Sequence, residues 1–213
     1  MSPNLARPEN GAEALARAQK LEVDGIETDL RLSQDFVPIL CHDRNIQRLT
    51  GLNRLIEDCH ASELVGLGFL TLKQALAQFN QQLLVLEMKD HEADAPAKRR
   101  RLVEQTVAVM QASGRSDPLL SFSDFLLRHA AEIAPHLQLG RNMDVAELHP
   151  YDFLSCNIEG LNADFVAAAH EAGQPVITWT VNDVTGLNHA LQCGVDGIIS
   201  DHPLWLQHEL GRR

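Results

Sequence analysis

The most informative stretch of the chain is Asp24-Gly25-Ile26-Glu27-Thr28-Asp29-Leu30, with His42-Asp43 following soon after it. Glu27 and Asp29 lie two positions apart in a run of strand type, so both carboxylates project from the same face of the strand. Burying them without a partner costs free energy, and a bound hard cation such as Mg²⁺ or Ca²⁺ offsets that cost. A strand with one solvated face gives the same pattern, so the rest of the chain decides between the two interpretations.

The composition indicates an ordinary globular protein. The chain has 213 residues, of which 45% are hydrophobic and 22% are charged, which is enough for a hydrophobic core. The formal net charge of -11 argues against nonspecific nucleic-acid binding, because such binding normally needs a basic surface. A chain of this length suits one sizeable domain or two small ones, and its charge predicts no nucleic-acid partner.

Cysteine usage and the N-terminal sequence indicate the cellular compartment. The four cysteines are scattered and form no C-x-x-C pair, which is typical of reduced thiols rather than of a disulfide framework or a zinc site. The N-terminal residues contain no apolar segment of signal-peptide type, and no run of residues approaches the length of a membrane span. The sequence predicts a cytoplasmic protein without a membrane span.

Extended and helical patterns alternate along the whole chain, at spacings typical of βα units. Asn10 is a candidate N-cap for the first helix. The predicted helices cover residues 11–21, 62–67, 73–79, 98–113, 124–133, 163–172 and 184–193. The predicted strands cover residues 26–30, 36–41, 82–89, 118–123, 137–141, 153–158, 175–181 and 196–200. Pro38 predicts an edge or irregular strand, because proline cannot donate a hydrogen bond to a neighbour.

Repeated βα units give either an open doubly wound sheet or a closed β/α barrel. No Gly-rich phosphate-binding sequence follows any predicted strand, which weakens the doubly wound alternative. Polar residues gather instead at the carboxyl ends of several strands: Glu27 and Asp29, Glu87 and Lys89, Ser121 and Ser123, Thr180 and Asn182, Ser200 and Asp201. A barrel builds its active site from such strand ends, so the sequence predicts a TIM-type β/α barrel.

Several short motifs, taken in order, carry a family resemblance. They are Pro8-Glu9-Asn10, Gly25-Ile26-Glu27-Thr28-Asp29-Leu30, His42-Asp43, Thr71-Leu72-Lys73-Gln74-Ala75-Leu76, Leu86-Glu87-Met88-Lys89, Ser121-Phe122, Trp179-Thr180-Val181-Asn182 and Gly194-Val195-Asp196-Gly197-Ile198-Ile199-Ser200-Asp201-His202-Pro203. Each motif alone is unspecific, but the ordered set extends over almost the whole chain. Together they resemble the glycerophosphodiester phosphodiesterase family.

The resemblance implies a single domain over residues 1–213, a β/α barrel of the PLC-like phosphodiesterase type. It implies a hydrolase of lipid and glycerol metabolism that acts on a small-molecule substrate. It implies cleavage of glycerophosphodiesters to glycerol 3-phosphate and an alcohol, with one divalent cation, Mg²⁺ or Ca²⁺, bound by Glu27, Asp29 and Glu87. Lys89 would contact the phosphate and Trp179 would line the substrate pocket. His42 would be one of two histidines that transfer protons.

Each of these residues also has a structural interpretation. Glu87 and Lys89 can form a surface ion pair of little energetic value, and Trp179 can belong to the core. The basic cluster at residues 98–101 can bind phosphate, although a solvated helix face is the favoured interpretation. The other nine histidines are assigned surface or structural positions, and His60 occupies the place of a helix-capping threonine in the family.

The chain departs from the family pattern at its beginning. The family starts with a strand ending in His-Arg-Gly, which carries the second histidine and a phosphate-contacting arginine, and no such motif precedes Pro8; Arg7 is no convincing substitute. We therefore expect a barrel without its first strand and with two unpaired edges. Residues 1–7, a second subunit in a homo-oligomer or an upstream extension could fill the gap, and a truncated chain is the favoured explanation.

Three functions follow from these observations. The first is an active metal-dependent phosphodiesterase. The second is a catalytically impaired or inactive relative that binds phosphate esters or a protein partner. The third is an unrelated metal-dependent barrel with aldol or isomerase chemistry, in which Lys89 would form a Schiff base with a carbonyl substrate.

Overall fold

A computed structural model describes residues 9–212, and one sheet of eight strands forms the centre of the protein. The strands are β1 (Gly25–Leu32), β2 (Pro38–Leu40), β3 (Leu83–Met88), β4 (Leu119–Ser121), β5 (Leu139–Met143), β6 (Phe153–Asn157), β7 (Val176–Trp179) and β8 (Gly197–Ile198). The helices are α1 (Ala12–Lys20), α2 (Gln47–Thr50), α3 (Ala61–Gly66), α4 (Leu72–Gln78), α5 (Pro96–Ser113), α6 (Asp124–Ile133), α7 (Ala163–Glu171), α8 (Val184–Cys193) and α9 (Pro203–Glu209). A 3₁₀ helix covers Ile56–Asp58.

The strand order is β2-β1-β3-β4-β5-β6-β7-β8, and every neighbouring pair is parallel except β1 and β2. The seven parallel strands curl into a TIM-type β/α barrel, which confirms the predicted fold class. Within residues 9–212, β1 and β8 do not pair with each other, so the barrel is open between them. Residues 1–7, Arg7 among them, and Pro8 lie outside the described residues, so a role for that segment in filling the gap stays a prediction.

The antiparallel strand β2 lies at one end of the sheet, as the proline at position 38 predicts. It pairs with the last residues of β1, where Leu30 faces Leu40 and Leu32 faces Pro38. A proline is tolerated there because the outer side of an edge strand needs no donor. The hairpin turns back along β1, so that the backbone N–H of Cys41 donates to the carbonyl of Asp29 and His42 follows beside the acidic part of β1.

The register of β1 on β3 is the part of the fold that matters most for the site. The two strands pair over six residues, and Asp29 lies directly opposite Glu87. Paired residues in neighbouring strands project from the same face of a sheet, so these two carboxylates lie side by side. Glu27 is on the same face because it precedes Asp29 by two residues.

A large apolar cluster fixes this register. Leu30, Leu84, Leu86 and Met88 are all 0% exposed and pack together with the inner faces of α4, α5 and α6. Burial of such side chains contributes about 1.5–3 kcal/mol each, so a slip of one strand by one residue would expose several of them to solvent. The core therefore holds the two acidic strands in one relative position.

The first helix begins differently from the prediction. The N-cap of α1 is Gly11, which offers no side chain, and Asn10 does not cap the helix. Asn10 has a φ of 59°, in the left-handed region that asparagine tolerates, and its side chain is directed to β1 instead. Helix α9 is a second difference, because the sequence analysis placed no helix after residue 200.

A buried ion pair closes the amino-terminal side of the barrel near β3. The guanidinium of Arg115 donates to both carboxylate oxygens of Asp117, and also to the carbonyls of Phe79 at 2.9 Å and Gln82 at 2.6 Å. Asp117 in turn accepts a hydrogen bond from the backbone N–H of Leu84 at 3.0 Å. The pair therefore links the loop after α4 to the start of β3.

Replacing Arg115 by methionine should lower the free energy of unfolding by about 3–5 kcal/mol, because the Asp117 carboxylate would stay buried without its cation. The Asp117 side chain is only 3% exposed. Urea unfolding followed by circular dichroism measures the change. The matched control is Arg128→Met, since the Arg128 side chain is 75% exposed and its pair with Asp124 should contribute about 0–1 kcal/mol. Equal losses in both variants would contradict the prediction.

Candidate active site

A cavity of about 680 Å³ opens at the carboxyl ends of the parallel strands. It is lined by Glu9, Asn10, Glu27, Asp29, His42, Asp43, Arg48, Glu87, Lys89, Leu120, Phe122, Asn142, Trp179, Thr180, Ile199 and Asp201. All six site residues proposed from the sequence are among them. Active sites of β/α barrels lie at this end, so the cavity is the candidate active site.

Three carboxylates converge in this cavity. Glu27, Asp29 and Glu87 each offer an oxygen atom, and the three oxygens lie within 4.8 Å of one another. Asp29 and Glu87 are each 5% exposed. Oε1 of Glu27 is buried and has no hydrogen-bond partner in the described part of the chain. An unsatisfied buried carboxylate oxygen in such a cluster is a position where a hard cation would be stabilised.

The raised pKa values of Glu27 and Glu87 also favour a cation in this cluster. Burial, followed by repulsion from Asp29 and Glu87, raises the pKa of Glu27 well above its usual value. Burial also raises the pKa of Glu87, although Lys89 acts against the shift. Both shifts mean that the metal-free site resists carrying three negative charges. Oxygen donors in such a group suit a divalent cation, so these residues fit the metal that the resemblance implies.

Among residues 9–212, Lys89 supplies the one ammonium group next to the carboxylates. Its Nζ lies 2.9 Å from Oδ1 of Asp29 and 2.7 Å from Oε1 of Glu87. Although burial opposes the charged form, the two carboxylates raise the pKa of Lys89, so the side chain stays protonated. Three ionised carboxylates and one ammonium group have a formal net charge of -2. One divalent cation would neutralise this charge.

Asn10 orients Asp29. Its Nδ2 donates to Oδ2 of Asp29 at 2.8 Å, and its Oδ1 accepts from the backbone N–H of Asp29 at 3.1 Å and from the hydroxyl of Thr28. With Lys89 on Oδ1, the Asp29 carboxylate is held at both oxygens. Side chains that fix a ligand in this way commonly tune the affinity of a metal site.

His42 is the one histidine among the residues described that lines the cavity. Its Nδ1 lies 2.9 Å from Oδ1 of Asp43, and the other oxygen of Asp43 accepts from Nε of Arg48 at 2.6 Å. Arg48 also binds Glu9. The hydrogen bond from Arg48 lowers the pKa of Asp43 to about 2, so Asp43 is ionised near neutral pH. An ionised carboxylate can only accept, so the Nδ1 of His42 donates to Asp43, and in the neutral imidazole Nε2 then keeps its lone pair.

Two aromatic side chains form part of the cavity wall. Trp179 and Phe122 meet edge to face, with ring centroids 5.7 Å apart and planes at 80°. Nε1 of Trp179 is buried and has no hydrogen-bond partner among residues 9–212. A buried indole N–H normally finds an acceptor, so this donor is available to a ligand in the cavity.

Comparisons with known proteins agree with this geometry. Residues 4–204 match the model of the glycerophosphoryl diester phosphodiesterase family. The chain belongs to this family. A glycerophosphodiester phosphodiesterase of Caldanaerobacter subterraneus is 25% identical over 92% of this chain and 89% of its own length, and one of Bacillus altitudinis is 26% identical over 92% and 90%. Members of the family are phosphoric diester hydrolases, so the barrel is an enzyme fold of that class.

Solved structures of the family share the fold. A phosphodiesterase of Oleispira antarctica, in complex with the product sn-glycerol-3-phosphate, superposes with a TM-score of 0.87 at 23% identity, over 96% of this chain and 92% of that one. A putative glycerophosphoryl diester phosphodiesterase of Silicibacter pomeroyi gives a TM-score of 0.84 at 20% identity, over 96% and 90%. Family membership sets aside the alternative of an unrelated barrel with aldol chemistry.

Not every polar residue at a strand end of this phosphodiesterase-family barrel reaches the cavity. Ser121 donates to the carbonyl of Met88, and Asn182 binds Asp201 and Ser200, so Ser121, Asn182 and Ser200 serve the structure around the site. The basic cluster at the start of α5 does not line this cavity either.

Sequence reasoning misses several side chains of the site, among them Asn10, Arg48 and Asn142. Asn10 was assigned to a helix cap, and neither Arg48 nor Asn142 was assigned a role. Asn142 donates from Nδ2 to Oε2 of Glu87 at 3.3 Å, and a signal for it exists, since it is a polar residue near the end of the buried strand β5. Arg48 lies in the short helix α2, where no periodic pattern marks it.

No helix in the described part of this family member is both long enough and apolar enough to cross a membrane. The four cysteines are free and buried. Burial raises the pKa of Cys41 to about 12 and that of Cys156 to about 11, so these thiols are unreactive at neutral pH.

Proposed function

We propose that the chain is a metal-dependent glycerophosphodiester phosphodiesterase, which hydrolyses glycerophosphodiesters to glycerol 3-phosphate and an alcohol. The observation that carries the proposal is the cluster of Glu27, Asp29 and Glu87, with an unsatisfied buried oxygen on Glu27 and the Lys89 ammonium beside it. These residues combine a site for one Mg²⁺ or Ca²⁺ ion with a fixed positive charge for the phosphate.

Each group has a role in this proposal. A divalent cation held by the three carboxylates would polarise the phosphoryl oxygens and reduce their repulsion from the acidic site. Lys89 would bind a phosphate oxygen, since its ammonium has three N–H donors and lies at the cavity wall. Trp179 would donate from Nε1 to the substrate and shield the phosphodiester from solvent with its ring.

His42 would act as the proton acceptor. Asp43 holds Nδ1, so Nε2 of the neutral imidazole can accept a proton from the water molecule that attacks the phosphorus. Arg48 keeps Asp43 ionised and in place, and Glu9 holds Arg48 from the other side. The imidazolium that forms would be stabilised by Asp43 and would release its proton to solvent before the next turnover.

One observation favours a second candidate function. His42 has no histidine opposite it within the part of the chain that the structure describes, whereas the resemblance implies two. A single proton-transfer group would leave one of the two transfers without a side chain, at a loss on the order of 10²–10⁴-fold. The alternative is therefore a catalytically impaired relative that binds phosphate esters through the same residues.

The deciding experiment measures release of glycerol 3-phosphate from glycerophosphocholine by the purified chain. The reaction is run with Mg²⁺, with Ca²⁺ and with a chelator in excess. Turnover that requires the cation supports the phosphodiesterase. Folded protein that binds the cation and glycerol 3-phosphate, but releases no product, supports the impaired relative. Turnover that persists in the chelator contradicts metal dependence.

We also propose a cytoplasmic location, supported by the four free buried cysteines, since such thiols persist in a reducing compartment.

A homo-oligomer that covers the open edges of β1 and β8 is a further proposal, because unpaired strand edges favour association. Light scattering at several protein concentrations measures the molar mass and so tests the homo-oligomer.

Replacing Trp179 by alanine should raise KM for the diester about tenfold or more while lowering kcat less, because the ring and its N–H contact bound substrate rather than the reacting atoms. Steady-state kinetics with glycerophosphocholine measures both constants. The matched control is Trp205→Ala, which removes the second tryptophan, on α9 and outside the cavity lining. A fall in kcat with unchanged KM in the Trp179 variant would contradict the assigned role.

A further inference from the structure

A second, smaller cavity adjoins the first. It has a volume of about 40 Å³ and lies between the end of β1, the 3₁₀ helix, the loop after β3 and the start of α5. Its lining includes Arg31, Leu32, Ile56 and His91, and Lys89 lines both cavities. A space of this size is several times what one water molecule needs, so it can hold a carboxylate group but not a sugar or an aromatic ring.

The acidic groups of this small cavity are all engaged by cations. Glu57 binds Arg44 at 2.6 Å and Lys98 at 3.3 Å. Asp94 binds the same two cations, both at 3.0 Å.

The third acidic group is Asp90, which accepts two hydrogen bonds from Arg99. Lys89 is engaged on the other side, by the carboxylates of the active site. No carboxylate among the described lining residues is left over.

Arg31 is the cation that remains. It follows Asp29 by two residues on β1 and so projects from the same face as the active-site carboxylates. Its Nε donates to the carbonyl oxygen of His42 at 2.8 Å. No carboxylate of residues 9–212 lies within 4.0 Å of its guanidinium, unlike the other arginines of this cavity.

The guanidinium of Arg31 therefore has donors to spare. It carries five N–H groups in a planar fork, and Nε uses one of them. The two terminal nitrogens have no acceptor in the described residues, and their fork geometry matches the two oxygens of a carboxylate. A half-buried arginine without a counter-ion, in a protein of net charge -11, is a specific feature that the proposed reaction leaves unused.

We propose that Arg31 and the small cavity form an anion subsite that receives a carboxylate on the alcohol part of the substrate. This inference rests on the proposed function of the larger cavity. The subsite lies beside Lys89, so an alcohol carrying a carboxylate can reach Arg31 while its phosphate is held at Lys89. The preferred substrates are then glycerophosphodiesters of carboxylate-bearing alcohols.

A matched pair of substrates tests the subsite. Glycerophosphoserine and glycerophosphoethanolamine differ only in one carboxylate. The expected ratio of their kcat/KM values is about ten in favour of the serine compound, which corresponds to about 1.4 kcal/mol from a charge-assisted hydrogen bond at a half-buried arginine. Arg31→Gln should reduce the ratio to about one, and Arg31→Lys should retain part of it.

The ratio separates recognition from damage to His42. Arg31 holds the His42 carbonyl, so a displaced histidine would lower both rates together and leave the ratio unchanged. Arg101→Gln removes one exposed arginine of α5 outside this lining and should keep the wild-type ratio. A wild-type ratio of one or less, or an unchanged ratio in Arg31→Gln, overturns the proposal.

A binding measurement keeps the test valid when no turnover occurs. Titration calorimetry with the His42→Ala protein and Ca²⁺ compares the same two compounds without hydrolysis. Tighter binding of glycerophosphoserine, lost in His42→Ala/Arg31→Gln, supports the subsite even if the catalytic proposal fails. Equal affinities of the two compounds overturn the subsite whether or not the wild-type chain is active.

Discussion

Glu27→Gln is expected to weaken Ca²⁺ or Mg²⁺ binding by more than about 100-fold. Residues that merely orient a metal ligand already contribute about 10–100-fold to affinity, and Glu27 contributes the buried oxygen that nothing else in the described chain satisfies. Titration calorimetry with Ca²⁺ measures the loss. Turnover of glycerophosphocholine should fall in parallel, because the reaction depends on the same ion.

The same substitution should stabilise the protein without metal. Burial and the neighbouring carboxylates make an ionised Glu27 unfavourable, and a neutral amide removes that repulsion. The melting temperature in a chelator should therefore rise, while the increase on adding Ca²⁺ should disappear. The control is Asp201→Asn, which neutralises another acid of the cavity outside the three-carboxylate cluster. A Glu27→Gln protein with the same Ca²⁺ affinity as the wild type would contradict the assignment of the metal site.

His42→Ala is expected to reduce kcat by about 10²–10⁴-fold with little change in Ca²⁺ affinity. Loss of a general base costs this much, and His42 lies outside the cluster that would hold the ion. Stopped assays of glycerol 3-phosphate release give kcat, and calorimetry gives the metal affinity. A smaller effect, below tenfold, would indicate that another group accepts the proton.

The control for this variant is His208→Ala. His208 lies on α9 with its side chain 85% exposed, so its removal should leave both readouts unchanged. Asp43→Asn is a useful companion, because it keeps His42 but alters the partner of Nδ1. If Asp43 orients the imidazole as the hydrogen bonds indicate, this variant should lose part of kcat and keep its KM.

Much of the fold could be predicted from the sequence, because the apolar periodicities of strands and helices are local. The strand around Glu27, the edge strand at Pro38 and the long helix α5 all lie close to their predicted positions. Helix α9 was missed because its seven residues show no clear period and no side chain caps its start, whereas α4, of the same length, is marked by the capping box of Thr71 and Gln74.

Local sequence patterns likewise indicate some residues of the site and not others. Glu27 and Asp29 could be selected because they interrupt an apolar strand at alternate positions, and Glu87 was added through the family resemblance. The mutual distances of the three carboxylates depend on a register that no local pattern specifies. Asn10 was misassigned because a capping rule is local, whereas its actual partners, Thr28 and Asp29, lie far along the chain. Arg48 had no signal at all, since ion pairs across an irregular segment depend wholly on tertiary structure.

The pairing of Asp29 with Glu87 also decides which changes of length the protein can tolerate. The segments between β1 and β3 can gain or lose residues at their surface turns without moving the two acids relative to each other. One residue inserted between Leu84 and Glu87 would turn the Glu87 side chain to the opposite face of the sheet, into the layer of helices. We therefore expect insertions and deletions to be tolerated in the loops of homologues and engineered variants. Within the six paired positions of β1 and β3 we expect none.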